Sequence, residues 1–140
     1  MIQQQTAPFA ALVLRLALGV MFLAHALLKV VVFTVPGTVQ FFESVGLPGA
    51  LAYVTIAIEL GAGVLLLIGF ATRWVALLTV PVLLGAAMVH LPNGWVFSAQ
   101  GGGWEYPVFL AVAAVVQFLL GDGAYALSAR QAPMPARRMA

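Results

Sequence analysis

The stretch RLALGVMFLAHALLK, residues 15–29, lies inside a long apolar run, yet it carries Arg15, His25 and Lys29. Whether this helix belongs to the core of a soluble domain or crosses a membrane decides the fold. The rest of the chain answers. Its 140 residues are 64% hydrophobic and only 7% charged, with a mean hydropathy of +1.09. A soluble domain is nearer half apolar and about a quarter charged. Six basic and four acidic side chains cannot clothe a chain of this length in water. The protein is therefore read as membrane-embedded.

Four apolar segments approach the span of about 20 residues that a hydrocarbon core requires. They are Phe9–Phe33, Leu51–Phe70, Trp74–Leu91 and the shorter Tyr106–Leu120. Leu16–Leu23 followed by Ala24-His25-Ala26 has the outline of a signal peptide, but no positive charge precedes it, so residues 9–33 read as an uncleaved span. The expected fold is all-α, a four-transmembrane-helix bundle over residues 1–125, with residues 126–140 as a mobile basic cytoplasmic tail. The connection at 34–49 has room for a short interfacial helix between its Pro-Gly and Gly-Leu-Pro breakers. Residues 69–73 read as a tight turn, and the Gly-rich 92–105 connection with Trp95 and Trp104 as an ordered loop at headgroup level.

Arg15, Arg73, Arg130, Arg137 and Arg138 fall near one side of the bundle and only Lys29 near the other. The positive-inside rule then sets both termini in the cytoplasm, in a cytoplasmic (inner) membrane. The net charge of +2 and pI near 9.5 thus read as topology and lipid contact, not nucleic-acid binding. With no cysteine, the chain has no disulfide, thiolate metal ligand or dithiol relay of its own.

A charge within a span costs a few kcal/mol at the bilayer centre and normally faces protein or water. At about 100° per residue, Arg15, His25 and Lys29 share an arc of roughly 80° that also holds Phe22, with Gly19 and Ala26 within about 40° of its edge. The small residues let another helix approach. The second span offers Glu59 on a face with Ala52, Thr55, Ala62 and Gly63. By depth, Lys29 and His25 are its expected partners. Near the same level the third span ends in His90, followed by Pro92-Asn93-Gly94-Trp95, and the fourth opens with Glu105-Tyr106-Pro107. His25, Lys29, Glu59, His90, Asn93, Glu105 and Tyr106 are thus expected to converge on one pocket in the outer half. Arg15, in the inner half, is expected to pair with Asp122 or lipid phosphate.

Plainer roles stand beside these. Lys29 with Glu59 reads equally as an ion pair that fixes helix register. Glu105 suits the N-terminal end of a helix dipole without any ligand, and His90 can cap the third helix. Trp95 and Trp104 read as interface anchors. His25 has no such local role.

The succession RLALGVMFLAHALLK, FFESVGLP, IELGAGVLLLIGFATR, AAMVHLPNGW and GGGWEYP resembles the DoxX family of small four-helix membrane proteins, from Arg15 to about Tyr125. Where that family commonly has His-Gly-x-x-Lys, this chain has His25-Ala26-Leu27-Leu28-Lys29, losing a glycine but keeping both polar groups. The family takes its name from membrane subunits of an archaeal thiosulfate:quinone oxidoreductase. The resemblance implies a four-span bundle linked to redox chemistry and to a quinone.

Two functions compete. The first is a quinone-binding oxidoreductase subunit. His25 or Lys29, with His90, would donate to the quinone carbonyls, Glu59 or Glu105 would relay protons, and Phe22, Phe41, Phe42 and Tyr106 would form the slot, with Asn93 also at the cofactor. A soluble redox partner protein is then expected, because the chain has no flavin, haem-attachment or nicotinamide motif. The second is a non-enzymatic membrane scaffold that binds a partner enzyme, such as a superoxide dismutase or another secreted enzyme, its polar cluster being structural. Metal or haem ligation by His25 and His90 has only a weak spacing signal, and no metal site is expected. A transport path would need a homo-oligomer.

Overall fold

The computed structural model describes residues 4–128, and all its regular elements are helical. α1 (Ala7–Leu27) carries Pro8 in its first turn, where the missing N–H costs nothing. It runs on into one π-helical turn, Leu28–Val32. The chain breaks at Thr34 (φ 63°), whose side chain accepts the Gly37 amide at 3.3 Å and so starts α2 (Val35–Ser44). This is the short helix expected in the first connection. α3 (Ala50–Ile68) ends at Gly69 in the left-handed conformation (φ 71°). The Gly69 and Phe70 amides turn back to the Leu66 and Leu65 carbonyls, a closure that glycine makes without steric cost. α4 (Thr72–His90) follows, with Pro81 in its interior, and tightens into a 3-10 turn at Leu91–Asn93. α5 (Glu105–Leu120) is the last helix described.

Three helical segments, Ala7–Val32, Ala50–Ile68 and Thr72–Asn93, are long and apolar enough to cross a membrane, and Glu105–Leu120 is a shorter apolar helix. Its 16 residues reach roughly 24 Å against a core of about 30 Å. The largest helix contacts are α1 with α3 and α4 with α5, and the two pairs close on each other through α3–α4 and α1–α5. The core holds Leu18, Phe22, Ala62, Leu66, Val75, Ala76, Leu83, Ala111 and Ala114. Many large apolar side chains point outward instead, among them Val13, Trp74, Met88, Phe109 and Leu119. That distribution suits lipid rather than water as the surrounding solvent.

The α1–α3 seam depends on Gly19 and Gly63. A Cβ on Gly63 would lie 2.9 Å from the Leu23 amide nitrogen and 3.1 Å from the Gly19 carbonyl oxygen. Backbone thus meets backbone here, as small residues permit between membrane helices.

Residues 121–128 fold back under the bundle. The Ala124 amide donates to Pro8 O, and the Leu127 and Ser128 amides to Ile68 O and Gly69 O. Asp122 Oδ1 accepts the Thr72 amide at 3.0 Å and so caps α4. The Ser128 hydroxyl accepts the Ala71 amide at 2.8 Å. Of the segment read as a tail from residue 126, Ala126–Ser128 are therefore packed, with Ala126 fully buried. The remainder, with Arg130, Arg137 and Arg138, lies outside the described residues.

Candidate functional site

Lys29 sits in the π turn, partly buried, and its Nζ donates to both Glu59 oxygens at 2.8 Å. The Glu59 side chain is 8% exposed and that of Lys29 19%. A carboxylate so buried requires a counter-charge, and here it has one in bidentate form. The π turn breaks the regular α pattern of backbone bonds, and Thr38 on α2 compensates. Its hydroxyl lies 2.9 Å from the Lys29 carbonyl and 3.0 Å from the Thr34 carbonyl, placed to donate to either. The sequence face Ala52, Ala62 and Gly63 is buried with Glu59 as expected.

His25 lies one turn earlier on α1. Its Nδ1 stands 2.8 Å from the Met21 carbonyl, which can only accept, so Nδ1 donates and Nε2 is the nitrogen left for another partner. The His25 ring stacks on Tyr106 of α5, with centroids 6.1 Å apart and planes 24° apart. The Tyr106 hydroxyl donates weakly to Met21 Sδ at 3.4 Å. Met21 thus orients both rings, a role that sequence reasoning missed because an apolar helical methionine carries no signal of its own.

His90 ends α4. Its Nδ1 is buried and has no hydrogen-bond partner, so it does not cap the helix through that atom. It faces a cavity of about 290 Å³ lined by His90, Phe97, Gly102, Gly103, Tyr106 and Pro107. A Cβ on Gly102 (φ 78°) would lie 3.6 Å from His90 Nδ1, in contact with the imidazole. Gly102 takes the left-handed conformation beside the ring, which glycine does at little cost.

The remaining candidates build the loop that closes this end. Asn93 Nδ2 donates to the Gly101 and Gly102 carbonyls at 3.1 and 2.9 Å. Glu105 opens α5, as an acid at a helix N-terminus should, and its Oε1 accepts the Phe97 amide at 2.7 Å. Trp95 and Trp104 meet edge to face, centroids 4.4 Å apart. Phe22 lies in the bundle core at 3% exposure, and Phe41 and Phe42 pair edge to face on α2. The aromatic lining of the His90 cavity comes instead from Phe97 and Tyr106. The structure thus joins His25, Tyr106 and His90 through shared contacts on α1, α5 and α4. It holds Lys29 with Glu59 at the α1–α3 seam. Among the described residues, no three His, Cys, Asp or Glu side chains gather as a metal site would require.

Arg15 departs from expectation. It is 1% exposed, and its guanidinium donates to the Leu66 and Leu67 carbonyls at 2.9 and 3.0 Å and to Ala124 O at 3.0 Å. The Asp122 carboxylate, its expected partner, serves the α4 amide end instead. Arg15 thus satisfies the last carbonyls of α3, where a helix presents its negative pole.

These features define a small helical membrane bundle with a hollow at one end that is edged by His90 and Tyr106. The chain belongs to the DoxX family, which it matches over residues 10–91, a span that includes His25, Lys29, Glu59 and His90 and stops before Asn93, Glu105 and Tyr106. It is 48% identical over 75 residues to the "Putative oxidoreductase CatD" of Bacillus subtilis (strain 168), covering 54% of each chain. It is 35% identical over 80 residues to the "Inner membrane protein YqjF" of Escherichia coli (strain K12), covering 56% of this chain and 60% of that one. The matched stretches thus span little more than half the length of these curated relatives. No solved structure matches the chain.

Proposed function

We propose that this DoxX-family membrane protein is the quinone-holding subunit of a redox system. In this reading it resides in a cytoplasmic membrane with both termini on the cytoplasmic side, and works with a partner protein that exchanges electrons with the quinone. The observation that carries the proposal is the buried, unpartnered His90 Nδ1 beside a cavity of about 290 Å³, against a tyrosine that also stacks on His25. A polar atom sealed from water without a partner costs about 1–3 kcal/mol, a cost that a bound polar ring removes. A quinone supplies two-electron, two-proton chemistry at its carbonyl oxygens. In this chain Tyr106 and Phe97 would flank the ring, His90 would hydrogen-bond it once Nδ1 comes clear of Gly102, and His25 Nε2 would serve as a proton acceptor. The oxidoreductase in CatD's name agrees with a redox role, and the inner membrane in YqjF's name agrees with the location.

The test is extraction of the detergent-purified protein followed by mass spectrometry, with His90→Ala and His25→Ala variants beside it. A near-stoichiometric quinone that is lost in the variants is the expected result. Identical lipid in all three samples overturns the proposal. It would favour instead a scaffold that binds a partner enzyme, a reading suited by the self-contained Lys29–Glu59 pair, which leaves no carboxylate oxygen unserved.

A further inference from the structure

A second hollow adjoins the His90 cavity. About 460 Å³ in volume, it is lined by Trp95, Phe97, Glu105, Tyr106, Val108, Phe109 and Val112, and it shares Phe97 and Tyr106 with the first. Glu105, Val108, Phe109 and Val112 recur at three- and four-residue spacing, so the hollow is a groove down one face of α5. From Glu105 to Val112 it descends about 10 Å, from the loop into the apolar part of the helix. Its roof is built rather than loose. The Phe97 amide is held by Glu105 Oε1, the Trp95 carbonyl accepts the Glu105 amide at 3.1 Å, and the Trp95 ring is braced on Trp104. Phe109 and Val112 are 69% and 57% exposed, so the groove opens sideways to the surrounding lipid.

A mostly apolar hollow edged by His90 and Tyr106, continuous with an apolar, laterally open groove, fits a ligand with a flat ring at one end and a hydrocarbon chain at the other. Resting on the quinone reading above, we infer that the α5 groove holds the first isoprene units of a prenylated quinone. The ring enters from the membrane between Phe97 and Tyr106 to reach His90, and the chain stays along Val108, Phe109 and Val112. Specificity for a tailed ligand then resides in α5, apart from the histidines.

The experiment uses a benzoquinone ring bearing no, one or two isoprene units, with binding read by quenching of tryptophan fluorescence in detergent. Wild type is compared with Val112→Trp, an exposed position whose change fills the groove and spares the core. Partition of each probe into the micelle is common to both proteins and cancels in the comparison. Wild type should gain about tenfold per isoprene unit, while the variant binds the tailless ring as wild type does and gains less than about threefold per unit. Equal gains in both proteins place the tail elsewhere and overturn the inference. Failure of the tailless ring to bind either protein overturns the quinone reading itself, so the two failures are distinct.

Discussion

Lys29 and His25 sit one turn apart on the same helix and end in opposite states. The lysine gives its charge to two carboxylate oxygens at 2.8 Å, and its own carbonyl accepts from Thr38. The histidine spends one nitrogen on its own helix and keeps the other available, against a tyrosine that borders a cavity with a second unpartnered imidazole nitrogen. The difference follows from charge. An ammonium and a carboxylate within a membrane protein must neutralise each other, whereas a neutral imidazole tolerates an open valence at much lower cost. The saturated pair is suited to holding helices, and the unsaturated rings to holding something else.

Other buried atoms also lack partners, namely Arg15 Nε, Thr72 Oγ1 and Gln117 Oε1. Each of those residues is anchored by another bond: Arg15 to three carbonyls, Thr72 through its amide, and Gln117 through Nε2 to Gly121 O. His90 has no such anchor through its Nδ1, and the residue lines a hollow.

The strongest way to break this contrast is to open the saturated pair. Glu59→Ala should destabilise the protein by about 3–5 kcal/mol, measured as thermal unfolding in detergent, because it strands a buried ammonium. The double variant Lys29→Met with Glu59→Leu should recover most of that loss. A double variant no more stable than the single one, or one that stays folded but loses quinone, would move the pair from scaffold to site.

Arg15→Met comes next, with an expected loss of about 3 kcal/mol, as two α3 carbonyls and Ala124 O lose a charged donor. Ligand content per folded molecule should not change. His90→Ala should reverse that pattern, with unfolding temperature nearly kept or raised and quinone binding weakened at least tenfold, about 1.4 kcal/mol. The smallest effect belongs to Tyr106→Phe, which removes only the long contact to Met21 Sδ and keeps the ring stack. It should shift both readouts by less than about 1 kcal/mol, and a large loss of binding would give the hydroxyl a direct role.

The helices were legible in the sequence because hydropathy and breakers act locally. α2 between its Pro-Gly and Gly-Leu-Pro signals and the turn at Gly69 both emerged from such cues. The Lys29–Glu59 contact followed from depth and electroneutrality alone. What stayed hidden has non-local or chemically silent causes. Arg15 was matched to a carboxylate because charge counting overlooks backbone carbonyls at a helix end. The π turn leaves the apolar pattern of VVVF intact and so has no signature there. Phe97 and Met21 owe their places to a loop closure and a helix crossing that no spacing rule encodes. Gly102 was visible only as loop, since the imidazole beside it lies twelve residues earlier.

The carbonyls that receive Arg15 also set a timetable. Leu66 and Leu67 follow it by 51 and 52 residues, Ala124 by 109. At about 5–20 residues per second, the last acceptor leaves the ribosome on the order of ten seconds after the arginine has been made. During that interval α1 has to enter the bilayer bearing a cation whose shell is assembled in two stages, first by the helix beside it and finally by the segment that follows α5. Biogenesis of this small protein is thereby tied to the segment after α5, and a nascent chain halted before Ala124 carries its arginine into the membrane incompletely housed.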